Sequence, residues 1–269
     1  MDCARGMAHQ CSSISTAALE SIAGLAPGVP TGGTDVRSIG GTARAANLQR
    51  GIGKMVDSET AIKPSDKVLA FEYIVTRTSP FPHFISPRFY TEEFSNTLLS
   101  WLESTNAWNL KETALYAQYE LGFSKVKDYP EIRTVSDGAV LARVRDEVSR
   151  VFNVPLSRRI NISAHKLVPG QYGGIHTDNV PGETHRLVVQ LNRGRSDDSG
   201  GNLVFLSGSS PQDVETVFKQ KTNSAVGFPL GPGSYHAITQ VKTGVRFTII
   251  YTFLSAVASD AEYSYFVAN

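Results

Sequence analysis

GSYHAITQVKTGVRFTIIYTF, residues 233–253, reads as two β-strands joined through a turn at Thr243-Gly244. In the second strand Phe247, Ile249, Tyr251 and Phe253 share one face, and Arg246 and Thr248 share the other. So much apolar bulk on one side places the strand inside a sheet and argues that Arg246 points inward. A guanidinium and a hydroxyl two residues apart make a clamp for a carboxylate, because the planar Arg fork matches it with two parallel N–H donors. His236 lies near the end of the first strand, ten residues before Arg246. Working outward, short strands are expected over 159–168, 185–192, 202–206 and 224–228. They are separated by Pro169-Gly170, Pro181-Gly182, Gly200-Gly201 and Gly231-Pro232-Gly233. Many short strands at regular turn spacing argue for a sandwich or a jelly roll.

Upstream of residue 159 the pattern changes. Thr91 is a suitable N-cap, Glu92 and Glu93 sit where the helix dipole favours anions, and Phe94, Leu98, Leu99 and Leu102 follow at helical spacing to about Ser104. Ser136 or Asp137 opens a second helix with Val140, Leu141, Val144, Val148, Val151 and Phe152 on one face. Strands are expected over 71–76, ended by Pro80 and Pro82, and over 114–121. Residues 1–70 contain no aromatic residue, and all 25 lie from Phe71 onward. Such a Gly-, Ala-, Ser- and Thr-rich leader buries too little apolar area to offset its ordering entropy. Residues 1–65 are read as mostly disordered or irregular, with a weakly specified helix around Thr16–Leu25, and residues 66–269 as the folded domain, its core over 159–255.

The candidate chemistry gathers around three side chains. His176-Thr177-Asp178 follows the Gly-rich turn Tyr172-Gly173-Gly174-Ile175. A His and an Asp two apart on an extended chain point to one side. With His236 from another strand they occupy one face of an octahedral metal, and two imidazoles with one carboxylate suit Fe(II).

The strings LVPGQYGGIHTD (167–178), HRLVVQLN (185–192), GGNLVF (200–205) and the 233–253 stretch resemble the Fe(II)/2-oxoglutarate-dependent dioxygenases, in particular the prolyl-4-hydroxylase-like branch. PFPHFISPRFYTEEFSNTLLSWLE at 80–103 is more weakly similar to the opening of such enzymes, with an affinity to the free amino-acid hydroxylases and halogenases. The resemblance implies a mainly β fold with flanking helices: a double-stranded β-helix, the cupin-like jelly roll, with helices packed on the major sheet. It implies His176, Asp178 and His236 as iron ligands and Arg246, helped by Thr248, as the holder of the distal carboxylate of 2-oxoglutarate. O2 would be the second co-substrate, and succinate and CO2 would be released. Asp178 stands where related halogenases carry Gly or Ala, which favours hydroxylation. Desaturation and cyclisation stay open, since the same chemistry serves all three.

Tyr172 is a further candidate for the co-substrate. Arg159, Asn161 and His165 share one face of the strand that leads into the metal turn, opposite Ile160 and Ile162, and are candidates for substrate contact. Gln190 shares a face with Arg186 and Asn192 and is a candidate for the same wall. Gln118 and Glu120 share a face of an upstream strand and are read as a solvent-facing edge; His83 is read as structural or exposed, and His185 as a turn-proximal surface residue. A polar wall of this kind suits a small zwitterion or carboxylate, so the expected substrate is a free amino acid or related metabolite. The alternatives are a peptidyl prolyl-type hydroxylase and a non-catalytic or cupin-type metal-binding jelly roll.

Composition excludes several other classes. Lys and Arg total 26 against 25 acidic residues, which leaves no broad electrostatic footprint for nucleic acid or an anionic membrane. Two cysteines, Cys3 and Cys11, exclude a disulfide framework and a four-cysteine zinc site. No apolar run reaches membrane-spanning length. A cytoplasmic monomer or homodimer acting on a small molecule is the expectation.

Overall fold

The computed structural model describes residues 64–71, 74–126 and 129–256. The irregular segment expected over 1–65, the helix around Thr16–Leu25 and both cysteines lie almost wholly outside the described residues.

Twelve strands form two antiparallel sheets among the described residues. They are β1 (Val75–Arg77), β2 (His83–Ser86), β3 (Asn109–Glu112), β4 (Ala117–Gly122), β5 (Leu156–Leu167), β6 (Gly173–His176), β7 (Glu183–Gln190), β8 (Leu203–Leu206), β9 (Val214–Phe218), β10 (Ala225–Pro229), β11 (Tyr235–Ile238) and β12 (Arg246–Ser255). The larger sheet runs β1-β2-β10-β7-β12-β5-β4-β3 and the smaller β6-β11-β8-β9. Helices α1 (Glu92–Ser104), α2 (Pro130–Arg133) and α3 (Gly138–Phe152) complete the described elements, with short 3-10 turns.

Both long helices begin where the sequence places them. The Thr91 hydroxyl accepts from the Phe94 N–H, and the Asp137 carboxylate accepts from the Ala139 N–H at 2.8 Å, each satisfying a donor that the first helical turn leaves unpaired. Leu98 and Leu102 of α1 and Val144 and Val148 of α3 are buried against Leu187, Ile249, Tyr251 and Phe253 of the larger sheet. A second core lies between the sheets, where Val188 and Ile250 meet Leu203, Phe205 and Phe228. β12 is therefore covered on both faces and reads as a near-continuous buried run. Complete burial of each such aliphatic side chain is worth about 1.5–3 kcal/mol. At Gly227 of β10 a Cβ would stand 2.2 Å from the Phe84 ring, so only glycine lets the ring lie flat on that strand.

Five strands differ from the sequence reading, among them β6, which falls on the expected Gly-rich turn. The 71–76 strand is observed as the short β1, and Phe71 instead packs in the helix-side core. β2 falls immediately after the prolines, β3 lies outside β4, and β9 closes the smaller sheet. β1, β2 and β3 are three or four residues long, too short to show a period of two. No helix among the described residues is long and apolar enough to cross a membrane.

Candidate active site

The smaller sheet assembles the metal-ligating set. β6 pairs with β11 so that His176 lies opposite His236, and their ring centroids are 4.3 Å apart. Asp178 follows two residues after His176, just past the end of β6. One ligand atom from each of the three side chains falls within 4.8 Å of the others. His176 Nε2 lies 3.5 Å and His236 Nε2 3.1 Å from the Asp178 carboxylate oxygens. Each ring is fixed from behind in the same way: His176 Nδ1 meets the Gly174 carbonyl at 2.7 Å and His236 Nδ1 meets the Ser234 carbonyl at 2.9 Å. A carbonyl can only accept, so Nδ1 carries the proton and Nε2 presents a lone pair. Two imidazole lone pairs and a carboxylate aimed at one point are the donor set of a divalent-metal site.

The electrostatics agree. Burial pushes the Asp178 carboxyl up, but its contacts with His176 and His236 and the charge of Arg186 outweigh this and hold it well below the usual carboxylate range. Burial pulls the His176 pKa down, yet Asp178 and the Gly174 carbonyl raise it overall. His236, more deeply buried, is lowered. The cluster attracts a positive charge, and a metal ion and a proton compete for it.

A cavity of about 570 Å³ opens from this cluster between the two sheets, with Arg246 among its lining residues. Arg246 is 2% exposed, its nearest polar partner is the Thr248 hydroxyl at 3.4 Å, and its Nε is buried without a partner. It forms no ion pair among the described residues. A buried, uncompensated guanidinium at the inner face of a cavity attracts an anion.

Known proteins relate to this chain through the fold. No protein-family model and no curated protein matches the chain by sequence. Among solved structures, a prolyl-4-hydroxylase from Pseudomonas putida superposes with a TM-score of 0.54 at 14% identity, over 64% of this chain and 92% of that one. A prolyl hydroxylase from Trichoplax adhaerens, solved with a hypoxia-inducible-factor peptide, gives 0.53 at 14% identity, over 66% and 87%. The chain has the fold of the prolyl hydroxylases. Prolyl 4-hydroxylases from Phytophthora capsici give 0.51 at 12% identity, over 67% of this chain and 61% of that one.

Within this prolyl-hydroxylase fold the remaining candidates divide. Asn161 and His165 line the cavity, on the opposite face of β5 from Ile160 and Ile162, which pack toward the helices. His165 is half-buried and lies 3.2 Å from the Ser163 hydroxyl, and burial pushes its pKa down to about 4, so it is neutral. Thr248 is fully buried beside Arg246. Four candidates do not line the cavity, Thr248 among them. Arg159 is exposed, two residues beyond Asn161 at the mouth, so its face is the expected one but its position along the strand is not. Tyr172 precedes β6, where strand alternation does not apply, and packs with Ile175, Val204 and Leu206. Gln190 is buried opposite Thr248, with its Oε1 unpaired.

Other residues enter the site from positions that the sequence reading set aside. Gln118 and Glu120 belong to the cavity wall, because β3 adds outside β4 and removes it from the edge. Glu120 lies opposite His165 and is held by Lys111 at 2.6 Å and Gln118 at 2.9 Å. Arg186 of β7 reaches the Asp178 carboxylate and binds Glu183 at 3.1 Å. Its even spacing from Val188 and Gln190 was the available signal. His185, read as a surface residue, is instead buried at 7% exposure, because its face of β7, shared with Leu187 and Val189, is the one the helices cover; it packs against Phe152 with ring centroids 4.8 Å apart.

Proposed function

We propose that the protein is an Fe(II)- and 2-oxoglutarate-dependent oxygenase that hydroxylates a C–H bond of a small polar substrate, a free amino acid or related metabolite. The observation that carries this reading is the pairing, in one cavity, of the His176–Asp178–His236 donor set with an unpaired buried Arg246. The two sheets, with the site between them and helices on the outer face of the larger one, support a jelly roll. Bound there, iron and 2-oxoglutarate would draw on O2 for the oxidising power that C–H insertion needs, with succinate and CO2 as co-products.

The chain's own residues have definable tasks. Gly174 and Ser234 hold the two imidazoles with Nε2 toward the metal. Arg186 occupies one side of the Asp178 carboxylate and limits how it can turn. Arg246 sets the direction of the co-substrate by fixing the carboxylate farthest from the metal. Asn161, Ser163, His165, Gln118 and Glu120 offer a polar wall to the substrate, and Ile250 and Phe228 exclude water from the floor. The volume lies in the range of small-molecule pockets and supports a metabolite over a folded protein. A peptide substrate is the second reading, favoured by the peptide complex of the Trichoplax fold relative.

The test is substrate-stimulated succinate release. Protein loaded anaerobically with Fe(II) and 2-oxoglutarate is exposed to air with pools of free amino acids, small metabolites or proline-containing peptides. A rise in succinate together with a product heavier by one oxygen atom is expected in the first two pools. The same result in the peptide pool alone selects the second reading, and no 2-oxoglutarate binding at all refutes both.

A further inference from the structure

Arg246 has a second cation behind it, outside the cavity lining. The side chain of Arg195 comes from the loop between β7 and β8. It donates from Nη2 to the carbonyls of Ser199 at 3.0 Å and Gly200 at 2.8 Å, and from Nη1 to the carbonyl of Thr243 at 3.1 Å. It thus ties the turn entering β8 to the turn entering β12, on which Arg246 is the first residue. Gly201 lies between the two arginines. A Cβ on Gly201 would stand 3.1 Å from Arg246 Cδ and 3.3 Å from Arg195 Nη2, so those two atoms are at most 6.4 Å apart, the sum of these distances. Gly201 has a φ of +69°, a backbone that glycine adopts freely, and its missing side chain is what admits both long side chains.

Neither guanidinium forms an ion pair among the described residues, and each keeps a buried Nε–H without a partner. Backbone carbonyls satisfy three of the Arg195 donors but carry no net charge, so two like charges remain side by side. That arrangement costs free energy unless an anion joins it. Burial, and then the charge of Arg195, lower the Arg246 pKa, which agrees with two uncompensated cations in electrostatic contact.

We propose that Arg195 is a positioning residue for the co-substrate, a second cation whose charge acts with Arg246 to hold the far carboxylate of 2-oxoglutarate. This rests on the oxygenase reading above. It separates from a purely structural role of Arg195, because charge and the three-carbonyl fork are different properties of the same side chain.

The experiment is calorimetric titration of Mn(II)-loaded protein with 2-oxoglutarate and, separately, with oxalate, which chelates the metal but has no far carboxylate. Arg195→Gln is expected to weaken 2-oxoglutarate binding roughly tenfold, the order of a unit charge at this separation in partly hydrated protein, and to leave oxalate unchanged. Arg195→Lys keeps the charge and loses the fork, and is expected to bind 2-oxoglutarate within about threefold of the parent. Parental affinity in Arg195→Gln, equal weakness in both variants, or a matching loss of oxalate binding would overturn the proposal. If Arg195→Gln does not fold, Arg195→Lys decides alone: tight 2-oxoglutarate binding supports a role of charge and weak binding refutes it. Parent protein that binds no 2-oxoglutarate removes the oxygenase reading itself, whereas a normal parent titration with indifferent variants removes this inference only.

Discussion

Arg246→Met should make the ligand-free protein more stable while removing its co-substrate. Arg246 is 2% exposed and forms no ion pair among the described residues, and its one side-chain hydrogen bond is the 3.4 Å contact with Thr248. The effective penalty for burying a charge is several kcal/mol, and exchanging buried ionic groups for packed apolar ones has stabilised proteins by about 1–4 kcal/mol. Methionine keeps much of the length and gives up a hydrogen bond worth roughly 1 kcal/mol. A net gain of about 1–3 kcal/mol would raise the melting temperature of a domain of this size by roughly 3–10 °C. Binding moves the other way. Truncating one partner of a buried charge pair costs about 2–5 kcal/mol, which weakens 2-oxoglutarate roughly thirty- to several-thousandfold. Thermal unfolding of ligand-free protein, repeated with Mn(II) and 2-oxoglutarate, reads both effects. The parent should rise by about 2.7 kcal/mol at a hundred times its dissociation constant, and the variant by no more than about 0.9 kcal/mol at that concentration. A variant that melts at or below the parent without ligand, or that gains as much stability from 2-oxoglutarate as the parent does, would refute the assignment of Arg246 as an unpaired anion site.

Two further outcomes are expected. Asp178→Ala removes one of three ligands and leaves Arg186 with Glu183 alone, so Mn(II) affinity should drop more than about a hundredfold, beyond the loss usual for an outer-sphere partner, and turnover should vanish; unchanged turnover would displace the metal site. His185 is held neutral, since burial pushes its pKa down to about 4 from 6.5, so its contribution is complete above pH 6.5 and is lost as pH falls toward 4. The full span is worth about 3 kcal/mol, and denaturant titrations of the parent and His185→Gln should diverge in slope across that window; parallel curves would show that His185 is not buried uncharged.

The helices were legible because their signals are local. Thr91 and Asp137 cap within three residues, and the apolar positions of α3 repeat over four turns. β12 was equally legible, since ten residues are enough to show which parity is apolar. β6 was read as part of a Gly-rich turn. It is four residues long, two of them glycine, and only its pairing with β11 makes it a strand. Gln118 and Glu120 were misjudged for a related reason. Whether a strand is an edge depends on what lies beside it, and β3 shows no period in its own four residues.

The sequence by itself put His176 and Asp178 on one side of an extended segment and Arg246 on the inward face of its strand, from residue type and the period of two, properties of a few consecutive residues; the resemblance added His236 as their partner. Tertiary structure alone decided how far along each strand the cavity extends. It admits Asn161 and His165 but not Arg159, and it recruits Arg186, Glu120 and Lys111 from elements distant in the chain. It also brought Arg195 to the back of Arg246 through the space that Gly201 leaves open. Such encounters depend on register and on the packing of one sheet over another, and no local pattern encodes them.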